Sequence, residues 1–171
     1  METSAYDKLS APFVGHPKRI AALRVSNHIV TAFMYILYIA TLIILFVNKN
    51  TRNLALAVAV PASGFAIVTV FRRVLNVPRR YEVTGTPSLL GKTKPGKSFP
   101  SRHLYSAAVI AMTALWLWPV VGIIALVVTA VMAYIRVVGG VHYIRDVAVG
   151  AAGGIAWAAL GYWLLPSLGL Y

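Results

Sequence analysis

The 171-residue chain predicts an all-α fold, a polytopic transmembrane helix bundle of about five spans with an N-terminal segment suited to an interfacial helix. Three observations carry this. Hydrophobic residues make up 59% of the chain and charged residues only 12%, about half the ~25% of an ordinary soluble domain. Five apolar runs approach the roughly 20 residues that a helix needs to cross a bilayer. None of these runs alternates with period two, which argues against strands.

Taken in order, the first span is Ile29 to Val47. The second runs from Leu54 to Phe71 and contains Pro61, where a kink is expected; a bundle tolerates one. The third, Leu104 to Trp118, is short. Pro119 begins the fourth, which ends near Ile135, and this proline suits the first position of a helix after a tight turn. The fifth, Val147 to Leu165, carries the small pair Gly150 and Gly154, so a close helix contact is expected on that face. Trp116, Trp118, Trp157, Tyr162 and Trp163 read as interfacial or packing aromatics.

The chain reads as one membrane-embedded domain, 1–171, in which two segments stand apart. Residues 1–28 mix apolar side chains with Lys8, Lys18, Arg19 and Arg24 and suit an interfacial segment; His16 and His28 read as surface residues within it. This start lacks the apolar core and small-residue cleavage site of a signal peptide. Residues 72–102 form a long connection rich in Gly, Pro, Ser and Lys, either a functional loop or a floppy basic one.

There are no cysteines, which removes disulfides and thiolate chemistry. The net charge is +12. With so apolar a chain, this charge points to anionic lipid or a phosphorylated substrate, not to nucleic acid. Five crossings place the N-terminus, the 72–102 loop and the 136–146 connection on one membrane face. Ten of the sixteen basic residues lie from Arg72 to Arg145 on that face: Arg72, Arg73, Arg79, Arg80, Lys92, Lys94, Lys97, Arg102, Arg136 and Arg145. Past residue 7 the only acids are Glu82 and Asp146.

Three clusters stand out within this face. Pro100-Ser101-Arg102-His103 opens the third span, where free backbone N–H groups and a positive dipole end suit a phosphate. Ser101 alone reads more readily as a helix N-cap. Arg136, then His142 and Asp146 four residues apart, open the fifth span. If that helix begins near His142, the carboxylate lies one turn on, where it can hold one ring N–H and free the other nitrogen. Such a pair is often only structural. Arg72, Arg73, Arg79 and Arg80 end the second span, as a phosphate clamp or as a basic belt.

In this order the clusters resemble the type 2 phosphatidic acid phosphatase family of membrane phosphatases, whose pattern is Lys-x6-Arg-Pro, then Pro-Ser-Gly-His, then Ser-Arg-x5-His-x3-Asp. The matching residues are Arg72-x6-Arg79-Arg80, Pro100-Ser101-Arg102-His103 and Arg136-x5-His142-x3-Asp146. Four departures stand in the pattern: Arg72 for Lys, Arg80 for Pro, Arg102 for Gly and Ile135 for Ser. The family core also commonly has six spans, against the five counted.

The resemblance implies a lipid phosphate phosphatase. His142 would attack phosphorus, Asp146 would support it, and His103 would protonate the leaving oxygen. Arg72, Arg79, Ser101, Arg102 and Arg136 would hold the phosphoryl oxygens. It implies no cofactor, and one aspartate with two histidines makes no convincing metal cage. The expected partners are a lipid phosphate substrate and membrane lipids. The substrate expected first is a polyprenyl diphosphate such as undecaprenyl diphosphate, with phosphatidylglycerol phosphate and phosphatidic acid as alternatives. Two other classes stay open: a non-catalytic lipid-phosphate binder, and a structural membrane protein with a basic belt. The positive-inside count places the motif face in the cytoplasm, whereas the resemblance favours the outer face of a bacterial cell membrane. Because site arginines are kept for chemistry, the outer face is the expectation.

Overall fold

The computed structural model describes residues 2–169, and among these all regular structure is helical. Helix α1 is Glu2–Ser10, α2 Pro17–Val47, α3 Thr51–Leu75, α4 Arg80–Thr84, α5 Arg102–Leu117, α6 Pro119–Val138 and α7 Ile144–Ala159. After α7 the chain continues through a π-turn, Leu160–Leu164, and a last helical turn, Leu165–Ser167.

Among the described residues, four helical segments are long and apolar enough to cross a membrane: Pro17–Val47, Thr51–Thr84, Pro119–Val138 and Ile144–Ser167. Helix α5 is the fifth long helix and falls short of that length, with 16 residues, or about 24 Å at 1.5 Å per residue. Its place explains the brevity. It packs on α2, α3, α6 and α7, and ten of its residues, Leu104 to Ala114 with few breaks, are buried. Helices α2, α3 and α6 instead expose Ile, Val and Phe side chains along their length, as lipid contact requires.

The N-terminal segment differs from the sequence reading. Helix α2 begins at Pro17, twelve residues before the expected start, so residues 17–28 are continuous with the first long helix rather than a separate segment. Proline at the first helical position starts it. Only α1 is separate. The polar connection is also shorter than expected, because α3 runs on through Arg72 and Arg73 to Leu75.

Pro61 does not break α3, which is continuous from Thr51 to Leu75. A proline removes the hydrogen bond to the carbonyl four residues back, here that of Ala57. The hydroxyl of Tyr38 in α2 donates to this carbonyl at 3.0 Å. The Trp157 indole of α7 donates to the neighbouring Val60 carbonyl at 3.0 Å. The strain site thus fastens α3 to two neighbours.

Helix α5 lies parallel to α7. A Cβ on Gly150 would stand 2.5 Å from the Ser101 carbonyl oxygen, and one on Gly154 would stand 2.4 Å from that of Tyr105. The expected small-residue contact is therefore between α7 and the start of α5. Helix α3 runs the other way, with Val60 against Gly161 and Gly64 against Trp157. One end of the bundle consequently gathers the C-terminal ends of α3 and α6 and the N-terminal ends of α2, α5 and α7.

The 76–101 connection crosses this end and is pinned rather than floppy. Leu90 packs into a cluster with Leu23, Ile135, Val138 and Val141. Glu82 accepts hydrogen bonds from the N–H groups of Arg79, at 2.7 Å, and Gly96, at 2.8 Å. Ser88 donates to the Gly139 carbonyl at 2.7 Å, and Arg24 to that of Leu89 at 2.8 Å.

Candidate active site

The α6–α7 turn brings His142 into place. Its first backbone bonds are Gly139 N to Ile135 O, Gly140 N to Val137 O and Val141 N to Arg136 O. Gly140 has φ +70°, the left-handed region that glycine enters without steric cost. Helix α7 begins at Ile144, three residues before the expected span start at Val147 and two after His142, so His142 sits in the turn itself. The pairing with Asp146 survives this shift. The carboxylate lies in the first turn of α7, where the helix dipole favours negative charge. Its Oδ2 accepts the Tyr143 N–H at 3.2 Å and reaches back to 3.5 Å from His142 Nδ1.

A further residue completes the pair. The Ser98 hydroxyl donates to Asp146 Oδ2 and lies 3.4 Å from His142 Nδ1. Ser98 and Asp146 are fully buried, and His142 is 2% exposed. The long His–Asp contact is thus bridged by a serine, and such contacts tighten when a substrate loads a site. With Nδ1 facing this group, Nε2 is the free ring nitrogen. Burial pushes the His142 imidazole down to about 4, against the opposing hydrogen bond to Asp146, and the Arg79 and Arg136 charges add to the lowering. The ring is therefore neutral at neutral pH.

The start of α5 is tied to this pair, since Ser101 N–H donates to the Asp146 carbonyl at 2.8 Å. Ser101 occupies the N-cap position, but its side chain makes no capping hydrogen bond. Its Oγ is buried without a partner, and so is Arg136 Nε, on a side chain only 3% exposed. Buried polar groups are nearly always paired, so these two unpaired donors, together with the unpaired acceptor Asp146 Oδ1, mark a polar place that can take a further hydrogen-bonding group. His103 is half-buried, and Arg136, His142, Arg102 and Arg72 are all near enough to act on its charge.

The arginines divide into separate tasks. Arg72 is buried and donates to the carbonyls of Lys97, Ser98 and Pro100, fixing the strand of chain that carries Ser98 and Ser101. Arg79 donates to the Gly96 carbonyl at 3.0 Å. Arg102 is exposed and leans over the Phe65 ring at 5.2 Å. Arg80 turns away: it is buried, 3.3 Å from Asp7, with its guanidinium 3.2 Å above the Tyr6 ring. It anchors α1 and is no part of the clamp. Arg73 remains exposed.

Two openings meet at Arg102. One, of about 260 Å³, is lined by cations including Arg72, Arg79 and Arg102. The other holds His103 and Arg102 at its head, in about 110 Å³. It shares Tyr35, Phe65, Ser106 and Ile110 with an apolar cleft of about 360 Å³ that descends between α2, α3 and α5. Among the described residues, no three His, Asp or Glu side chains group as a metal cage.

Fold and site together define a membrane-embedded helix bundle with a buried histidine–aspartate pair and a cationic cavity at the same end. The chain belongs to the PAP2 superfamily, whose family model matches residues 54–169. Among solved structures, Aquifex aeolicus LpxE superposes with a TM-score of 0.72 at 20% identity, covering 93% of each chain. The phosphatidylglycerolphosphate phosphatase of Bacillus subtilis, described as a transmembrane PAP2-type enzyme, also reaches 0.72. It has 22% identity and covers 97% of this chain and 87% of its own. No curated protein matches the sequence closely enough to add to these.

Proposed function

We propose that the protein is a metal-independent lipid phosphate phosphatase that works through a phosphohistidine on His142. The observation that carries this reading is the pair of unpartnered buried donors, Arg136 Nε and Ser101 Oγ: Arg136 is near enough to act on the charge of His142, Ser101 is bonded to the Asp146 backbone, and Asp146 and Ser98 hold His142 Nδ1. The lone pair of His142 Nε2 attacks phosphorus, and the P–O bond to the leaving group breaks. His103, which takes up a proton as the anionic phosphate enters beside it, gives that oxygen its proton. Water then attacks the phosphohistidine, passing a proton to His103, and the P–N bond breaks to release phosphate. Arg72, Arg79 and Arg136, with Ser101, hold the phosphoryl oxygens, and Arg102 meets the substrate's phosphate at the mouth, where the two openings join. Phosphoryl transfer depends mostly on positioning and charge stabilisation, which this clamp supplies.

The apolar cleft beneath His103 supports an amphiphilic substrate, with its tail between α2 and α3 and its phosphate at the mouth. A polyprenyl diphosphate is the first choice, and phosphatidylglycerol phosphate or phosphatidic acid the second. The site faces outward across the cell membrane. A single cysteine placed in the 86–96 stretch of this cysteine-free chain tests that: an impermeant thiol reagent labels it on intact cells, whereas labelling only after lysis reverses the orientation.

Phosphate release by the purified protein in detergent with EDTA, wild type against His142→Ala, tests the activity on all three lipids. Release that needs His142 and survives EDTA is expected. Equal release by both proteins removes the nucleophile assignment. No release from any lipid favours a binding protein instead.

A further inference from the structure

The cationic cavity holds more charge than one phosphoryl group needs. Six cations line its 260 Å³: Arg72, Arg73, Arg79, Lys94, Lys97 and Arg102. No carboxylate lines it. Glu82 is engaged by the N–H groups of Arg79 and Gly96, Asp7 by Arg80, and Asp146 by Ser98 and Tyr143. Among the described residues, the side chains of Arg73, Lys94 and Lys97 have no hydrogen-bond or ion-pair partner. A phosphomonoester brings about two negative charges, which Arg72, Arg79 and Arg136 already answer. The remaining cations repel one another in a concave site and gain most from a second anion.

The position of Arg102 shows where that anion belongs. It lines both this cavity and the one headed by His103, above the apolar cleft. A group that links the scissile phosphoryl to a tail in the cleft passes Arg102. We propose that the cavity is a second-phosphate subsite, in which Arg102, Lys94 and Lys97, with Arg73 at the edge, bind a further phosphate of the same substrate. This rests on the phosphatase reading and deepens it: the preferred substrate carries two phosphates, bonded directly or separated by a short spacer.

The test compares kcat/KM on polyprenyl diphosphate, phosphatidylglycerol phosphate and phosphatidic acid, in a neutral detergent free of other anionic lipid. Wild type is compared with the double variant Lys94→Gln, Lys97→Gln. The ratio of a two-phosphate lipid to phosphatidic acid is expected to fall about tenfold in the variant, the scale of losing charge-assisted contacts. Whichever two-phosphate lipid shows the fall reveals whether the phosphates are adjacent or spaced. An unchanged ratio for both overturns the subsite while leaving the phosphatase reading intact.

Binding of methylenediphosphonate, which cannot be hydrolysed, separates the two ideas if no lipid is turned over. Wild type should bind it about tenfold more tightly than inorganic phosphate, and the double variant should lose that preference. Equal binding of the two anions by wild type overturns the subsite. Preference retained by the variant overturns the assignment to these lysines.

Discussion

Ser98→Ala removes one of the two short-range donors to a buried carboxylate. Asp146 Oδ2 accepts from Ser98 and from the Tyr143 N–H, while His142 Nδ1 stands 3.5 Å away. Its Oδ1 has no hydrogen bond, and Arg145 approaches it only to 3.7 Å. A hydrogen bond to a charged group contributes about 1.5–3 kcal/mol, and full burial of both partners favours the upper part of that range. On the proposed mechanism the interaction matters most when His142 carries a phosphoryl group and its ring becomes cationic. If about half the loss appears in the transition state, kcat falls about tenfold at roughly 1.4 kcal/mol per decade. KM should stay within about threefold, because Ser98 holds the pair and not the substrate. Steady-state phosphate release gives both constants, and a thermal melt shows that the variant is folded. A folded variant with kcat within about twofold of wild type refutes the positioning role. A lowered melting temperature with unchanged kcat assigns Ser98 to the fold alone.

Three other outcomes are expected. His103→Ala should lower kcat on the order of 10²–10⁴-fold, the usual scale of general acid catalysis, and near-normal release removes its role. Gly150→Ala should cost about 1–3 kcal/mol of stability through overpacking against the Ser101 carbonyl, and it should lower activity by moving the start of α5; a melt and a rate matching wild type contradict the close contact. The acid limb of kcat/KM that belongs to His142 should lie near 4, below the 6.5 of an exposed imidazole. Between those values the unfolded chain binds the extra proton, so the His142 contribution to stability is complete above 6.5 and is lost as pH falls through 4. A limb near 6.5, once the substrate's own ionisation is allowed for, contradicts a buried neutral ring.

The long helices were legible because lipid contact demands an unbroken apolar run, as in Ile29–Val47. The early start of α2 was not, because residues 17–28 carry Lys18, Arg19 and Arg24 on an exposed surface and lack a hydropathy signal. The brevity of α5 was visible, but the burial that permits it depends on neighbours distant in sequence. His142 and Asp146 were legible from spacing and come together even though α7 begins after His142, because a carboxylate in the first turn can reach back to its helix start. Ser98 was missed. It is a loop serine three residues before Ser101, and its tie to Asp146 spans 48 residues. Arg80 was noticed as a departure, but its role needed Tyr6 and Asp7, which only the folded chain brings beneath it.

The most direct measurement traps the covalent intermediate. Wild type and His142→Ala are mixed with a lipid phosphate labelled in its terminal phosphoryl group and quenched in alkali within a single turnover. Label that stays on the wild-type chain in base, is lost in acid and is missing from His142→Ala is the predicted result. Continued phosphate release with no labelled wild-type protein, or equal labelling of the variant, would contradict a phosphohistidine at His142.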